Sequence, residues 1–139
     1  LLAIVGLLIA VFVVAWRLDP YDANGRPLRL AVHEQLGMKP CHFYRKFHRP
    51  CPTCGMTTSF ALLMKADVAA SLRANPAGTL FALWLLALIP WGAISAVRGR
   101  WLFGRSIENW LLWGIIAIVG LALVRWLIIV GLPWLAGSG

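Results

Sequence analysis

The chain has 139 residues, 60% hydrophobic and 13% charged, against about 45–50% and about 25% in an ordinary soluble domain. The apolar excess sits in long blocks, which argues against a soluble globule and for membrane spans. The formal net charge is +8, from 13 Lys and Arg against 5 Asp and Glu. Because the basic residues border the apolar blocks, anionic lipid headgroups account for them better than nucleic acid does.

Residues 1–16 form an unbroken apolar run, slightly short of the about 20 residues a span needs. Residues upstream of Leu1 would complete it. A signal peptide is the competing reading, but no small-x-small cleavage site follows; Arg17-Leu18-Asp19-Pro20 does. A retained span is therefore expected. Residues 17–75 carry most of the Lys and Arg and all three cysteines. Turn formers crowd 19–27. Residues 28–36 suit a short helix with Leu28, Ala31, Val32 and Leu36 on one face and Gly37 as its stop. A Cys/His segment follows at 41–54, then a short helix over 55–65. Asp67 is placed to cap another short helix over 68–74. Asn75-Pro76 reads as a helix start, a cap residue followed by proline at the first helical position. It leads into a second span over 77–97, where Pro90 predicts a kink. After a basic turn at 98–105, Ser106 and Glu108 open a third span over 107–130. Gly131 and Pro133 are expected to end it.

The predicted fold class is an all-α integral membrane protein forming a single membrane domain. Three transmembrane helices are expected, with the Cys/His loop and short interfacial helices between the first two. Of eight tryptophans, Trp16, Trp101, Trp110 and Trp134 lie near block ends, where indole settles at headgroup level. Arg98, Arg100 and Arg105 crowd the short turn without an acid. The positive-inside rule then puts that turn in the cytoplasm and the Cys/His loop on the outer face.

The Cys/His segment carries the chemistry. Cys51 and Cys54 are two residues apart and followed by Gly55, a spacing that aims two thiolates into one site. Glycine there permits the positive φ that such a curl needs. The string Cys51-Pro52-Thr53-Cys54-Gly55 resembles the metal knuckle of rubredoxins and zinc ribbons, without a second pair. Cys41, His42 and His48 are the other nearby donors. A tetrahedral zinc site from Cys41, Cys51, Cys54 and one histidine is chemically sensible. Two other states fit the same residues. One is a structural disulfide, which an outward-facing loop favours and which leaves one odd thiol. The other is a redox dithiol at a helix N-terminus, though no βαβ pattern surrounds it. His33, beside Glu34, reads as a solvated surface histidine. The cluster Phe43, Tyr44, Arg45, Lys46, Phe47 and Arg49 suits phosphate headgroups with aromatic anchors, or an ordinary interfacial loop.

From Cys41 onward the chain resembles a family of small bacterial membrane proteins that carry a domain of unknown function. The signature is a cysteine, a gap, Cys-Pro-x-Cys-Gly-x-Thr, a short helix, an Asp, and Asn-Pro leading into a span. Here these are Cys41, then Cys51-Pro52-Thr53-Cys54-Gly55-Met56-Thr57, then Asp67, then Asn75-Pro76. The likeness covers about residues 41–97. One position departs: the family commonly has Arg after the Thr, and this chain has Thr58. The resemblance implies a fold and a place in the bacterial inner membrane, and no activity.

Thr57 and Thr58 are expected either to bond carbonyls one turn back or to line a small site. Arg125 stands inside the third apolar block, where an ionisable residue is costly and usually paired. It is expected either to snorkel or to pair with Asp67. Three functions fit the chain. The first is a small accessory or scaffold protein whose Cys/His loop, held by zinc or a disulfide, caps a partner or lipid. The second is a membrane thiol–disulfide oxidoreductase using Cys51 and Cys54, with Cys41 as resolving thiol. The third is a transport component, which would need oligomerisation because a lone internal Arg makes no pathway. Expected partners are the lipid bilayer and another membrane protein or further copies of the chain, with no nucleic acid.

Overall fold

The computed structural model describes residues 2–30, 32–39, 41–48, 51–98 and 106–135. Among these are six α-helices: α1 (Leu2–Arg17), α2 (His42–Phe47), α3 (Met56–Met64), α4 (Val68–Ala74), α5 (Pro76–Arg98) and α6 (Ser106–Leu135). A 3-10 turn occupies Val32–Leu36. The capping signals fall where the sequence places them. Asp67 Oδ1 accepts from the Ala70 backbone N–H at 3.0 Å and starts α4. Asn75 Oδ1 accepts from the Gly78 backbone N–H at 3.2 Å at the start of α5.

Three elements depart from expectation. Only the last part of 28–36 winds up, because its beginning is held elsewhere. The Leu28 N–H donates to the Pro20 carbonyl at 2.8 Å, and Tyr21 pairs with Pro27 across a turn. Asp22 Oδ1 locks that turn by accepting from the Asn24 and Arg26 N–H groups, each at 2.8 Å. Residues 42–47, read from sequence only as part of the Cys/His segment, form α2. Its first bond runs from the Arg45 N–H to the Cys41 carbonyl at 3.0 Å. Finally, α6 runs past Gly131 and Pro133 to Leu135. A proline removes one ladder bond, which the last turns of a long helix can absorb.

The hub is α3, buried from Thr58 through Leu63. A helix apolar all round belongs inside, and each face of α3 meets a different neighbour. Phe60 and Leu63 pack with Phe12 and Ala15 of α1 and Ala82 of α5. Phe60 stacks on Phe12 at 5.7 Å between centroids and meets Phe81 edge-on at 6.1 Å. Ala61 covers Leu18 and Val32. Leu62 packs on Ala70 and Ala74 of α4. Gly78 lets α5 lie directly on α3: a Cβ there would collide with Ser59 Oγ and lie 3.2 Å from Met56 Cα.

A polar seam runs through this packing. Ser59, Ser71, Asn75 and Thr79 are fully buried. Ser71 Oγ lies 2.7 Å from the Ser59 carbonyl and 2.7 Å from Thr79 Oγ1, which in turn lies 3.0 Å from the Asn75 carbonyl. The two hydroxyl protons can fill two of these three contacts at a time, and α3, α4 and α5 are tied together by them in a buried seam.

Two helical stretches are long and apolar enough to cross a membrane, Pro76–Arg98 and Asn109–Gly131. No residue in the apolar window of the second is buried within the chain, and most of its large apolar side chains are exposed. The expectation of three spans is met in these two; α1 is apolar but has 16 residues. The cysteine module sits on the ends of these helices. Arg125 Nη2 donates to the Ala74 carbonyl at 3.1 Å, and Phe43 of α2 meets Trp126 of α6 edge-on at 6.2 Å. Arg49 and residues 99–105, on which the expected orientation partly rests, lie outside the described residues.

Candidate metal centre

Two short stretches of backbone bring the cysteines together. Cys41 immediately precedes α2. Cys51 begins a turn closed by the Cys54 N–H donating to the Cys51 carbonyl at 3.1 Å. Cys54 ends that turn just before Gly55, whose φ of 82° starts α3 from the left-handed region. No other residue fits at Gly55. A Cβ there would sit 2.9 Å from the Arg29 carbonyl oxygen and 3.0 Å from that of Ala74. Asn75 fixes the same spot from the other side, its Nδ2 donating to the Cys54 carbonyl at 3.2 Å. The turn carrying two sulfurs is therefore built into the α3–α4–α5 core.

The sulfurs form a tripod. Cys41 Sγ lies 3.6 Å from Cys51 Sγ and 3.6 Å from Cys54 Sγ, and the latter two are 2.7 Å apart. Ligands at 2.3 Å from a tetrahedral zinc stand about 3.8 Å from each other. Two edges of the tripod are thus near a coordination edge, and the third needs to open by about 1 Å. All three thiols are free, with no pair at the about 2.05 Å of a disulfide bond. The cluster can hold a metal ion: the three ligand atoms lie within 4.8 Å of one another.

The two thiols of the turn are not equivalent. Burial pushes the Cys54 thiol up, and its contact with Cys51 adds to this, to about 12. Burial also works against the Cys51 thiolate. There, however, contacts with Cys54, Thr53 and Cys41 outweigh it, and Cys51 lies below the ordinary thiol value. Thr53 Oγ1 is 3.4 Å from Cys51 Sγ, and the Cys51 N–H donates to Cys54 Sγ at 3.1 Å. Of the two, Cys51 therefore gives up its proton more readily and Cys54 holds its own more firmly.

The expected histidine ligands do not join the group. Among the described residues, the donors within 4.8 Å of one another are the three cysteines alone. The six-residue helix α2 explains why. Phe43 and Phe47 meet at 4.7 Å along one face with their rings tilted by 40°, and with Phe43 on Trp126, His42 falls on the exposed side beside Lys39, Arg45 and Lys46. His48 ends α2 with a positive φ of 51° and is exposed. The Asp67–Arg125 pair is not formed either. Asp67 is occupied by Ala70 and, at 3.4 Å, by the Tyr21 hydroxyl. Arg125 instead caps the Ala74 carbonyl.

The tripod opens into a cleft of about 570 Å³. Thr57 and Thr58 line it, as the sequence suggested for the hydroxyls after the motif. So do Met38, Met56 and the pair His33 and Glu34, of which the sequence read His33 as a solvated surface residue. Val32, fully buried under Leu18 and Ala61, holds the 3-10 turn in place, and His33 follows it onto the cleft wall, half-buried rather than solvated. The available signal was an apolar anchor immediately before a histidine.

Residues 41–89 match a family model described as protein of unknown function (DUF2752). The DUF2752 match begins at the first cysteine and takes in Cys51, Cys54, Gly55, Asp67, Asn75 and most of α5. It thus covers all three sulfurs and the residues that hold them. Compared with curated proteins, the chain matches none. Compared with solved structures, it matches none.

Proposed function

We propose that the chain is a small membrane-anchored cap whose cysteine tripod holds a thiophilic metal ion and presents it beside the bilayer surface. The observation that carries this reading is the position of Cys41. It comes from a separate stretch of chain, yet its sulfur stands at the same distance, 3.6 Å, from both other sulfurs. A thiol needed only for a turn or a disulfide has no reason to stand there. Zinc, the ion the knuckle resemblance suggests, takes four ligands in structural sites, so it would draw its fourth from the cleft or from solvent.

In this account α1 joins α5 and α6 as a third span. Its 16 residues rise about 24 Å, against a hydrocarbon core of about 30 Å. Local thinning or further apolar residues would make up the difference. The membrane is the bacterial inner membrane, with the cysteine cap on its outer face. The outward α6 surface contacts lipid, another membrane protein or a second copy of the chain.

The test is metal content of the full chain purified in detergent under reducing conditions. About one thiophilic ion per chain, lost in Cys41→Ser, supports the reading. No metal in any growth condition, with the three thiols freely reactive, sinks it.

A second reading has an observation of its own. Cys51 and Cys54 are 2.7 Å apart, with one thiol held down and the other pushed up. That is the asymmetry of an attacking and a resolving thiol. Under it, purified chain would exchange disulfides with a model substrate, and Cys51→Ser would abolish the exchange.

A further inference from the structure

The chain contains three cysteines and three methionines. All three cysteines, together with Met38 and Met56, line the one cleft. Five of the six sulfur-bearing side chains therefore surround a single space. The sixth, Met64, packs against the core formed by Phe12, Phe60 and Ala82, as Met56 also does from the cleft wall.

From this we infer that the cleft takes the monovalent soft cation Cu(I) in preference to zinc. The inference rests on the thiolate reading above and names the ion. Donor number is the first argument. The tripod supplies three ligand atoms within 4.8 Å, fewer than a structural zinc site requires, whereas trigonal Cu(I) is satisfied by three sulfurs. Donor type is the second. Thioether and thiolate together are the soft set that selects Cu(I), and Met38, 49% exposed, is free to reach an incoming ion from the rim. Charge is the third. Three thiolates and one Cu(I) sum to −2, and Arg125 is held on the Ala74 carbonyl, which lies against Gly55 next to Cys54. Binding transfers no electron; the thiol protons leave to solvent as the Cu–S bonds form. The harder donors on the cleft wall, His33 and Glu34, are outside the tripod, so zinc would complete its four ligands with one of them or with water.

The experiment uses the full chain in detergent, reduced and anaerobic. Cu(I) is titrated against a colorimetric Cu(I) chelator, and Zn(II) against a zinc chelator. The expected result is one Cu(I) per chain, held about tenfold or more tighter than Zn(II). Met38→Leu then weakens Cu(I) binding by roughly 10–100-fold, the usual cost of losing a supporting group at a metal. Met64→Leu, which removes a thioether outside the cleft, leaves binding unchanged and controls for folding. Zn(II) held as tightly as Cu(I) or tighter overturns this inference while leaving the thiolate-metal reading intact. Equal losses in Met38→Leu and Met64→Leu also overturn it. Failure to bind either ion overturns both.

Discussion

Gly55→Ala is expected to cost roughly 2–5 kcal/mol and to take the metal with it. Two separate effects make up that figure. A φ of 82° places an L-residue in the left-handed region, at about 1–2 kcal/mol. The added methyl would also press on two carbonyl oxygens, of Arg29 at 2.9 Å and Ala74 at 3.0 Å. Both are backbone atoms that cannot rotate away, and overpacking of this kind costs about 1–3 kcal/mol. Gly25 separates the two effects. Its φ is 72° and nothing lies within 4 Å of its Cβ position, so Gly25→Ala carries only the conformational cost. Denaturant unfolding of both variants in the same detergent gives the difference directly, about 1–3 kcal/mol in excess at Gly55. The Gly55 variant alone should also lose bound metal, because Cys54 moves with its neighbour. Equal stability losses at the two glycines would refute the close packing of the cysteine turn on α4.

Three further outcomes follow from the same geometry. Asn75→Ala leaves the Cys54 carbonyl and the Gly78 N–H, each now 3.2 Å from the side chain, without partners in a dry site. The cost is about 1–3 kcal/mol per group, read as a lower midpoint in thermal unfolding, with metal content falling in parallel. Exchanging the charges in an Asp67→Arg, Arg125→Asp double variant should not restore the folded yield lost in Arg125→Asp, since the two groups do not meet; rescue to wild-type yield would contradict the Arg125–Ala74 contact. In metal-free reduced chain, Cys51 should be alkylated first. The thiolate is the reacting form. Held below the ordinary value, Cys51 reacts at a lower pH than a free thiol, while Cys54, pushed to about 12, stays slow until the solution is strongly alkaline. Mass spectrometry of singly labelled chain decides it, and preferential labelling of Cys54 would reverse the assignment.

The parts of this fold that sequence makes legible are those fixed by local chemistry. Asp67 and Asn75-Pro76 announce helix starts because a side-chain oxygen and a pre-set φ act within one turn. Gly55 announces a positive φ because few other residues tolerate it. The apolar blocks of α5 and α6 announce themselves by length. What local pattern does not carry is which faces meet. Cys41, His42, Cys51 and Cys54 form one donor list in sequence, but α2 turns His42 away while leaving Cys41 at the tripod. The spacing of Phe43 and Phe47, four apart, held that information, masked by the basic residues between them. Arg125 was legible as a group needing a partner. The partner was not, because a backbone carbonyl at Ala74 leaves no mark in a sequence. Ser71 and Thr79 likewise look like ordinary helical hydroxyls until α3, α4 and α5 close over them.

The central claim is that three sulfurs from two stretches of chain hold one ion. X-ray absorption at the edge of the metal bound by the purified protein counts those sulfurs directly. The account predicts at least three sulfur neighbours at about 2.3 Å, and no bound metal left to count in Cys41→Ser. Two sulfurs in the unaltered chain, unchanged by Cys41→Ser, would mean that the Cys51 and Cys54 turn binds alone and that the tripod has no part in it.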